Sequence, residues 1–269
     1  MTEIKFERAG QVATIILDGP ESRNALNAAN LRSIGDAVAQ IAGEVVQFTS
    51  EAAQPGTGVR ALLIRGEGTV FCSGRDIAGI DVETDDAREF LAEVFSPVFA
   101  SIRALPIPVI AEVQGAALGL GYGLAAAADI VYAAETAKFG SPFAAIGAML
   151  DSGAHHIFLD RLGYHRTMDL IVTGDFITGA EAAAAGIVSR AVPAANLREF
   201  VDEKLERIVS GPAQAYAMEK GFVRTLADER PPLAQVLAEE AQLQEAARHT
   251  PDYAEGFRAF QERRPPKFR

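Results

Sequence analysis

The sequence predicts an α/β fold in which strand, loop and helix alternate, followed by an all-helical C-terminal region. Short apolar runs typical of buried strands alternate with helical periodicity over residues 1–195. These units recur about every 40–50 residues, a spacing that indicates stacked turns of a spiral. From residue 196 onward only helical patterns remain. We therefore expect a core of residues 1–195 and a helical region of residues 196–269.

The composition indicates a globular protein and argues against several classes of function. The chain has 269 residues, of which 49% are hydrophobic and 23% charged, values ordinary for globular proteins. No apolar run approaches the roughly 18 residues of a membrane span, and the N-terminus lacks the apolar segment of a secretory signal. The net charge of −11 argues against binding to nucleic acids, which needs basic surfaces.

The single cysteine, Cys72, rules out an intrachain disulfide. This suits a reducing compartment, so we expect a cytoplasmic protein. Cys72 itself is expected to be a small buried hydrophobic residue rather than a nucleophile.

The first part of the chain reads as a hairpin followed by alternating helices and strands. Alternating apolar residues flank a turn at Gly10, and Asn27 is a good N-cap for a helix with an apolar face. The predicted elements are a hairpin at 4–17, a helix after Asn27, a surface excursion at 43–58, a strand at 61–64 and a helix at 87–105.

Residues 109–134, VIAEVQGAALGLGYGLAAAADIVYAA, predict a strand, a glycine-rich turn, a helix of small residues and a second strand. A strand that feeds a glycine-lined helix start directs free backbone N–H groups and the positive end of the helix dipole at one spot. Such a spot can hold an anion or a developing oxyanion.

The remaining elements follow from periodicity and from Gly and Pro punctuation. They are a strand at 138–139, a loop at 141–153, helices at 154–162, 165–173 and 179–185, a strand at 188–192, and helices at 197–209, 213–226, 232–248 and 251–261.

A second glycine-lined turn, Ser73-Gly74-Arg75-Asp76, precedes the one at Gly119-Leu120-Gly121. Together they could present two N–H groups to one oxygen, the arrangement of an oxyanion hole, although the same pattern is typical of ordinary turns. Neither a P-loop nor a G-x-G-x-x-G dinucleotide motif fits, because no GK[ST] follows and the glycines are spaced two by two.

Asp151 lies in an apolar loop, where burial would raise the pKa of its carboxyl group and make it a better proton acceptor near neutral pH. The alternative is that Asp151, or Ser152 in its place, caps the following helix. His155 could meet Asp151 across one helical turn, but the pair His155-His156 is expected to be structural and partly buried. No nearby Cys or His completes a metal site, so we expect no metal.

Together, several motifs resemble those of the crotonase superfamily, the enoyl-CoA hydratases and isomerases, over nearly the whole chain. The motifs are Arg23-Asn24-Ala25-Leu26-Asn27, Phe71-Cys72-Ser73-Gly74-Arg75-Asp76-Ile77, residues 106–123, Ala128-Asp129-Ile130, Lys138-Phe139 and residues 252–260.

The resemblance implies a spiral of ββα turns, assembly into trimers or pairs of trimers through the C-terminal helices, acyl-CoA substrates and no cofactor besides the CoA of the substrate. It implies that the backbone N–H groups of Arg75 and Leu120 hold a thioester enolate. The CoA- and substrate-binding residues that it implies are Arg23, Ala25, Ser73, Gly74, Asp76, Ile77, Gly119, Phe143 and, reaching a neighbouring subunit, Lys267.

The sequence departs from the family's hydratases at both catalytic glutamates, whose positions are Gly123 and Phe143 here. Asp151 matches a catalytic aspartate of family isomerases, and Leu150-Asp151-Ser152-Gly153 is similar to their Pro-Asp-x-Gly motif. The closest resemblance is to enoyl-CoA isomerases and to the ring-epoxide isomerase of phenylacetate degradation.

We therefore expect an acyl-CoA isomerase with Asp151 as proton shuttle, in an apolar pocket lined by Phe143, Met149 and Leu150. Two alternatives stay open. One is a CoA-ester hydratase, hydrolase or dehalogenase in which Asp151 activates water or attacks carbon. The other is a non-catalytic acyl-CoA-binding protein.

Overall fold

A computed structural model, which describes residues 1–46 and 58–268, has the predicted α/β architecture. In this described part of the chain the strands are β1 (Glu3–Ala9), β2 (Val12–Asp18), β3 (Ala61–Gly66), β4 (Val109–Val113), β5 (Ala116–Leu118), β6 (Ile130–Ala134), β7 (Lys138–Gly140), β8 (Ile177–Thr178) and β9 (Arg190–Val192). They form a six-stranded sheet in the order β1-β2-β3-β4-β6-β9 and a three-stranded sheet in the order β5-β7-β8.

The helices surround these sheets and then continue alone. They are α1 (Ala28–Val46), α2 (Ala87–Glu89), α3 (Ser96–Ala104), α4 (Leu120–Ala126), α5 (Ala154–Thr173), α6 (Gly179–Ala184), α7 (Leu197–Val209), α8 (Ala213–Glu229), α9 (Leu233–Arg248) and α10 (Pro251–Gln261). Elements after β9 are helical throughout the described residues. The division into two domains at residue 195 stays a prediction.

The large sheet is antiparallel only between β1 and β2, which form the predicted hairpin, and parallel elsewhere. Its central strands read as continuous apolar runs because both of their faces are covered. Leu62 in β3 pairs with Val109 in β4, and both are fully buried. This sheet is the rigid support from which the loops of the candidate site project.

The three-stranded sheet was only partly predicted. The strand at 138–139 is confirmed as β7, whereas β5 and β8 were missed because two or three residues cannot display a periodicity of two. An isolated bridge between Cys72 and Ala117 adds the 72–75 segment to the edge of β5.

The glycines of the central stretch allow main chain to pack on main chain. The small-residue helix α4 follows β5 and lies directly against Cys72, because a Cβ on Gly121 would sit 2.4 Å from the carbonyl oxygen of Cys72. Only a residue without a side chain fits at that distance.

The N-terminus of α1 confirms Asn27 as a cap. The side chain of Asn27 accepts from the N–H of Asn30 at 3.0 Å, and the side chain of Asn30 accepts from the N–H of Asn27 at 3.0 Å. The predicted excursion at 43–58 is wrong at its start, because the helix continues through Gly43 to Val46. Residues 47–57 lie outside the described part of the chain.

Two predicted helices contain local irregularities. The helix expected at 87–105 includes a π-helical segment, Phe90–Phe95, just before Pro97. Proline has no N–H to continue the α-helical pattern and its ring crowds the preceding turn, which favours a wider turn there. The predicted break near residue 163 appears as a kink in α5 at Gly163, where φ is 73°.

A search of the described residues for a helix long and apolar enough to cross a membrane finds none.

The tight contact at Gly121 predicts a large stability loss on substitution. Gly121→Ala forces the main chain of α4 and the 72–75 segment apart, and we expect the free energy of unfolding to fall by about 3 kcal/mol or more. Urea unfolding followed by circular dichroism measures this loss.

Gly43→Ala is the matched control, because Gly43 lies in α1 with nothing within 4 Å of an added Cβ. There alanine should stabilise the helix by about 1 kcal/mol. Equal effects of the two substitutions would contradict the close packing of α4.

Candidate active site

Two of the predicted binding segments lie side by side in the fold. The N–H of Leu26 donates to the carbonyl of Gly74, and the N–H of Asp76 donates to the carbonyl of Leu26, both at 2.9 Å. The N–H of Ser73 donates to the carbonyl of Arg23 at 3.0 Å. The chain around residues 23–26 and the chain around residues 73–76 therefore form one continuous ridge.

This pairing directs the N–H of Arg75 away from Leu26, since both bonds to Leu26 come from the residues on either side of Arg75. The N–H of Leu120 is similarly available, because Leu120 is the first residue of α4 and has no preceding helical carbonyl. Within residues 1–46 and 58–268, neither N–H has a hydrogen-bond partner.

The two available N–H groups belong to adjacent stretches of main chain. The nitrogen of Leu120 lies 3.8 Å from the point where a Cβ on Gly74 would sit, and Arg75 is the next residue. We define the N–H groups of Arg75 and Leu120 as the amide pair. Two neighbouring N–H donors of this kind can stabilise negative charge that develops on a carbonyl oxygen.

Buried side-chain amides fix the loop that leads into this ridge. Asn24 is fully buried with φ of 55°, and its side-chain N–H₂ group donates to the carbonyls of Val70 at 2.7 Å and Glu67 at 2.9 Å. Gln114 donates to the carbonyls of Gly66 at 2.9 Å and Val70 at 3.0 Å. These contacts hold the main chain just before the predicted turn at Ser73-Gly74-Arg75-Asp76.

The side chain of Arg75 is held by two partners. Its guanidinium forms two hydrogen bonds with the Asp85 carboxylate, at 3.0 and 2.5 Å, and lies 4.0 Å from the centre of the Phe90 ring. A bidentate pair backed by a cation–π contact restrains both segments. The acidic stretch of residues 81–86 is thus joined through Asp85 to the turn that contains Arg75.

Asp151 is half-buried in the segment before α5. Its Oδ1 accepts a hydrogen bond from Ser152 Oγ at 2.7 Å. Burial raises the pKa of the Asp151 carboxyl above its ordinary value, while the Ser152 hydrogen bond and the charges of Arg75 and His155 oppose the rise in pKa. The carboxylate is therefore a stronger base than one in water, and it lies close enough to Arg75 to sense its charge.

The capping alternative for Asp151 and Ser152 is wrong. Gly153 occupies the N-cap position of α5, and no side chain makes a capping hydrogen bond there. The carboxylate of Asp151 is thus not used to begin the helix.

The segment that contains Asp151 packs on the helix that contains Leu120. A Cβ on Gly123 in α4 would lie 2.5 Å from Ser152 Cβ, 2.7 Å from the Ser152 carbonyl oxygen and 2.9 Å from Phe95 Cζ. Ser152 is buried, with 8% of its surface exposed. Gly123, on which Ser152 packs, therefore lies one turn of α4 after Leu120. Ser152 is the neighbour of Asp151, and Leu120 belongs to the amide pair.

The positions of the two missing glutamates are both filled by other groups. Ser152 occupies the space beside Gly123. The half-buried Phe143 approaches Gly119, at the start of the same glycine-rich stretch. A Cβ on Gly119 would lie 3.0 Å from Phe143 Cζ. Apolar surface therefore faces the amide pair where the resemblance places a carboxylate in hydratases.

Three expectations about side-chain burial need correction or confirmation. His155 and His156 are exposed, so the expectation of partly buried histidines is wrong, because the helix turns both outward. Met149 is 80% exposed and lies on the surface rather than inside a pocket, whereas Leu150 is buried. Cys72 is fully buried as predicted, and burial raises the pKa of its thiol to about 12.

The remaining predicted binding residues divide between the ridge and the C-terminus. The carbonyl of Ala25 accepts from Thr2 Oγ1 at 2.6 Å, and Ile77 is exposed at the end of the ridge. Lys267 instead lines a cavity of about 520 Å³ beside α10, and its N–H donates to Glu255 Oε1 at 2.7 Å. No contact of the described residues joins Lys267 to the ridge, and its role toward a neighbouring subunit stays a prediction.

Comparisons with known proteins agree with the predicted fold and family. The family model described as enoyl-CoA hydratase/isomerase matches residues 7–269. The chain is 35% identical over 266 residues to a "Probable enoyl-CoA hydratase" of Rhodobacter capsulatus, covering 98% of this chain and 97% of the relative. It is 28% identical over 270 residues to a trans-2-decenoyl-acyl-carrier-protein isomerase of Streptococcus mutans, covering 99% and 97%.

A crystal structure of an enoyl-CoA hydratase from a Polaromonas species superposes with a TM-score of 0.86 at 28% identity, over 99% of both chains. The fold is thus the predicted crotonase-like spiral with its C-terminal helices. The chain belongs to the enoyl-CoA hydratase/isomerase family. The names of its relatives include both hydratase and isomerase.

The sequence predicted no role for three residues of the site, Asn24, Asp85 and Gln114, and predicted a different role for Ser152. Asn24 and Gln114 fix the loop, Asp85 orients Arg75, and Ser152 contacts both Asp151 and Gly123. A short polar residue inside an apolar loop was the available signal for Asn24 and Ser152, because Asn and Ser bind nearby main chain and side chains in turns.

The burial of Asp151 predicts a pH-dependent effect on stability. Because its pKa is raised in the folded state, the folded protein binds this proton at a higher pH than the unfolded chain does, and stability falls as pH rises through that window. At pH 7 the folded state carries the whole cost of the buried charge. Asp151→Asn should therefore raise Tm by a few degrees at pH 7, and this gain should vanish below the ordinary carboxyl pKa.

Differential scanning calorimetry at a series of pH values measures the effect. Asp85→Asn is the control, because it removes a carboxylate bonded to Arg75 and should lower Tm at pH 7. An unchanged or lower Tm for Asp151→Asn at pH 7 would show that this carboxylate is well solvated.

Proposed function

We propose that this protein is an acyl-CoA thioester isomerase that moves a carbon–carbon double bond through an enolate. One observation carries the proposal. A half-buried carboxylate of raised pKa, Asp151, lies in the segment that packs on α4, and the first N–H of α4 belongs to the amide pair. A base and two N–H donors are the groups that proton abstraction beside a thioester carbonyl requires.

In the proposed reaction the carbonyl oxygen of the β,γ-enoyl-CoA thioester accepts hydrogen bonds from Arg75 N–H and Leu120 N–H. Asp151 removes a proton from the α carbon, the C–H electron pair forms a new double bond to the carbonyl carbon, and the carbonyl π electrons move onto oxygen. Protonated Asp151 then returns its proton to the γ carbon as the enolate collapses. The product is the α,β-enoyl-CoA, and no water is consumed.

The absence of a second carboxylate at positions 123 and 143 supports isomerisation over hydration. Hydration must activate a water molecule and protonate the α carbon, and the hydratases that this chain resembles use two glutamates for these tasks. Phe143 and Ser152 occupy the corresponding space. A single carboxylate is sufficient for isomerisation if both carbons lie on its face.

Hydration by Asp151 alone is the second candidate, and the hydratase name of the Rhodobacter relative favours it. Incubation in ¹⁸O-labelled water separates the two reactions. A hydratase or hydrolase incorporates the label into its product, whereas an isomerase yields a double-bond isomer that carries no ¹⁸O. A non-catalytic binder gives neither.

The ridge supports a CoA thioester as the substrate. Its members Arg23, Ala25, Ser73, Gly74, Asp76 and Ile77 run past Arg75 as one paired edge. With the thioester carbonyl at the amide pair, the CoA moiety would lie along this edge. Main-chain atoms of the edge and the side chain of Arg23 would then be available to bind it.

Asp151→Asn should lower turnover by about 10²–10⁴-fold, the contribution typical of a general base. The isosteric amide can still accept from Ser152, so binding of a saturated acyl-CoA, measured by calorimetry, should change little. Asp169→Asn, which alters an exposed acid farther along α5, is the matched control. Full turnover in Asp151→Asn would overturn the proposed function.

The Leu120 N–H can be tested without adding a charged or bulky group. Proline removes this N–H and is tolerated at the first position of a helix, where Leu120 stands. Leu120→Pro should lower kcat by about 10²–10³-fold.

Leu120→Ala is the control for this experiment, because it removes the buried side chain and keeps the N–H. Circular dichroism verifies that both variants fold. If the proline and alanine variants turn over equally, the N–H of Leu120 does not stabilise the enolate.

A further inference from the structure

We infer that Ser152 is a positioning residue for Asp151, which fixes one carboxylate oxygen and leaves the other as the single atom that takes and returns the proton. The inference rests on the proposed function, since it assigns a role relative to the same base. It goes further by naming the oxygen that moves the proton and the group that selects it.

A hydrogen bond holds one oxygen of the Asp151 carboxylate. Ser152 Oγ donates to Asp151 Oδ1 at 2.7 Å, while Oδ2 has no hydrogen-bond partner among the residues that the structure describes. The Ser152 hydrogen bond occupies one of the lone-pair sites on Oδ1, so Oδ2 is the oxygen that is free of hydrogen bonds from the described residues. We therefore assign the proton transfer at both the α and the γ carbon to Oδ2.

A second observation is the backbone at Ser152. Its φ is 57°, in the left-handed region that glycine adopts without strain, and the next residue, Gly153, is also left-handed with φ of 82°. Glycine at position 152 would suit the backbone better but would bring no hydroxyl. The geometry therefore gives the side chain of Ser152 a function beyond turning the chain.

A third observation is the contact with α4. Ser152 Cβ lies against Gly123, one turn after Leu120, at a distance that leaves no space for a Cβ on Gly123. Packing against Gly123 thus fixes Ser152 relative to Leu120. The hydrogen bond from the Ser152 hydroxyl then fixes the Asp151 carboxylate relative to Ser152. The base and the amide pair are aligned through two short contacts.

The electrostatic surroundings agree with this role. The Ser152 hydrogen bond favours the ionised carboxylate and so opposes the effect of burial on the pKa of Asp151. The other charged or titratable groups that act on Asp151 are Arg75 and His155. Removing the hydroxyl should therefore raise the pKa of Asp151 and free its rotamer.

The test compares Ser152→Ala with wild type in two measurements. We expect the acid limb of the kcat/KM profile to move to higher pH and kcat to fall about tenfold, with KM changed less than twofold. Carbon-13 NMR of labelled aspartate in the free enzyme should show the same upward shift in the pKa of Asp151. Because the charge of His155 also acts on Asp151, the series is repeated with His155→Gln in both proteins.

Ser141→Ala is the matched control. Ser141 is also buried in the loop that leads to Asp151, but its hydroxyl has no hydrogen-bond partner within the described residues. Its removal should leave the acid limb where it is. Ser152→Gly is a second test variant that relieves the left-handed backbone, so it should fold even where alanine does not, and it should reproduce the shift in pKa.

The outcomes separate this inference from the proposed function. Loss of turnover in Asp151→Asn together with a shifted acid limb in Ser152→Ala and Ser152→Gly supports both. Loss of turnover in Asp151→Asn with unshifted limbs and NMR titrations in both Ser152 variants overturns the role of Ser152 alone. Full turnover in Asp151→Asn overturns the proposed function and the role of Ser152 with it.

Discussion

The site depends on contact between stretches of main chain with no side chain between them. At Gly121, α4 approaches the carbonyl of Cys72 so closely that any Cβ would collide with it. This contact sets the first turn of α4 against the 72–75 segment, and it thereby sets the spacing of the amide pair. Backbone atoms have no rotamers, so donors placed in this way need little reorganisation when charge develops.

Among the residues that the structure describes, the carboxylate of Asp151 forms no ion pair, and the charges that act on it are those of Arg75 and His155. A guanidinium bonded directly to Asp151 would hold the proton off and weaken the base. Arg75 instead bonds to Asp85 and stacks on Phe90, so its charge reaches Asp151 only at a distance. One residue thus supplies an N–H to the site while its side chain is held by a separate acidic segment.

The sequence alone was sufficient for the features that follow from regular patterns. Continuous apolar runs identified β3 and β4, Asn27 identified the start of α1, and the glycine spacing located the turn before α4. The short strands β5 and β8 were missed, because they depend on partners distant in sequence rather than on local pattern. The exposure of His155 and Met149 was missed for the same reason, since burial at these positions is decided by packing between elements.

The candidate site was likewise predictable in part from the sequence. Motif positions placed Arg75, Leu120 and Asp151 in one region, and the fold has Arg75 close enough to Asp151 to affect its pKa. Local pattern could not show which way the Asp151 carboxylate faces, because capping and burial use the same residue types at a helix start. The roles of Asn24, Asp85 and Ser152 arise from contacts with residues that are distant in sequence. Asn24 binds Val70, 46 positions away, Asp85 binds Arg75, 10 positions away, and Ser152 packs on Gly123, 29 positions away.

The packing of Ser152 on Gly123 also limits how this scaffold can diversify. A glutamate introduced at position 123 would have to pass through the volume that Ser152 fills, so a side chain at position 123 and the present position of Ser152 compete for one space. Any route from one chemistry to the other must rebuild the loop before α5 and the helix surface at the same time.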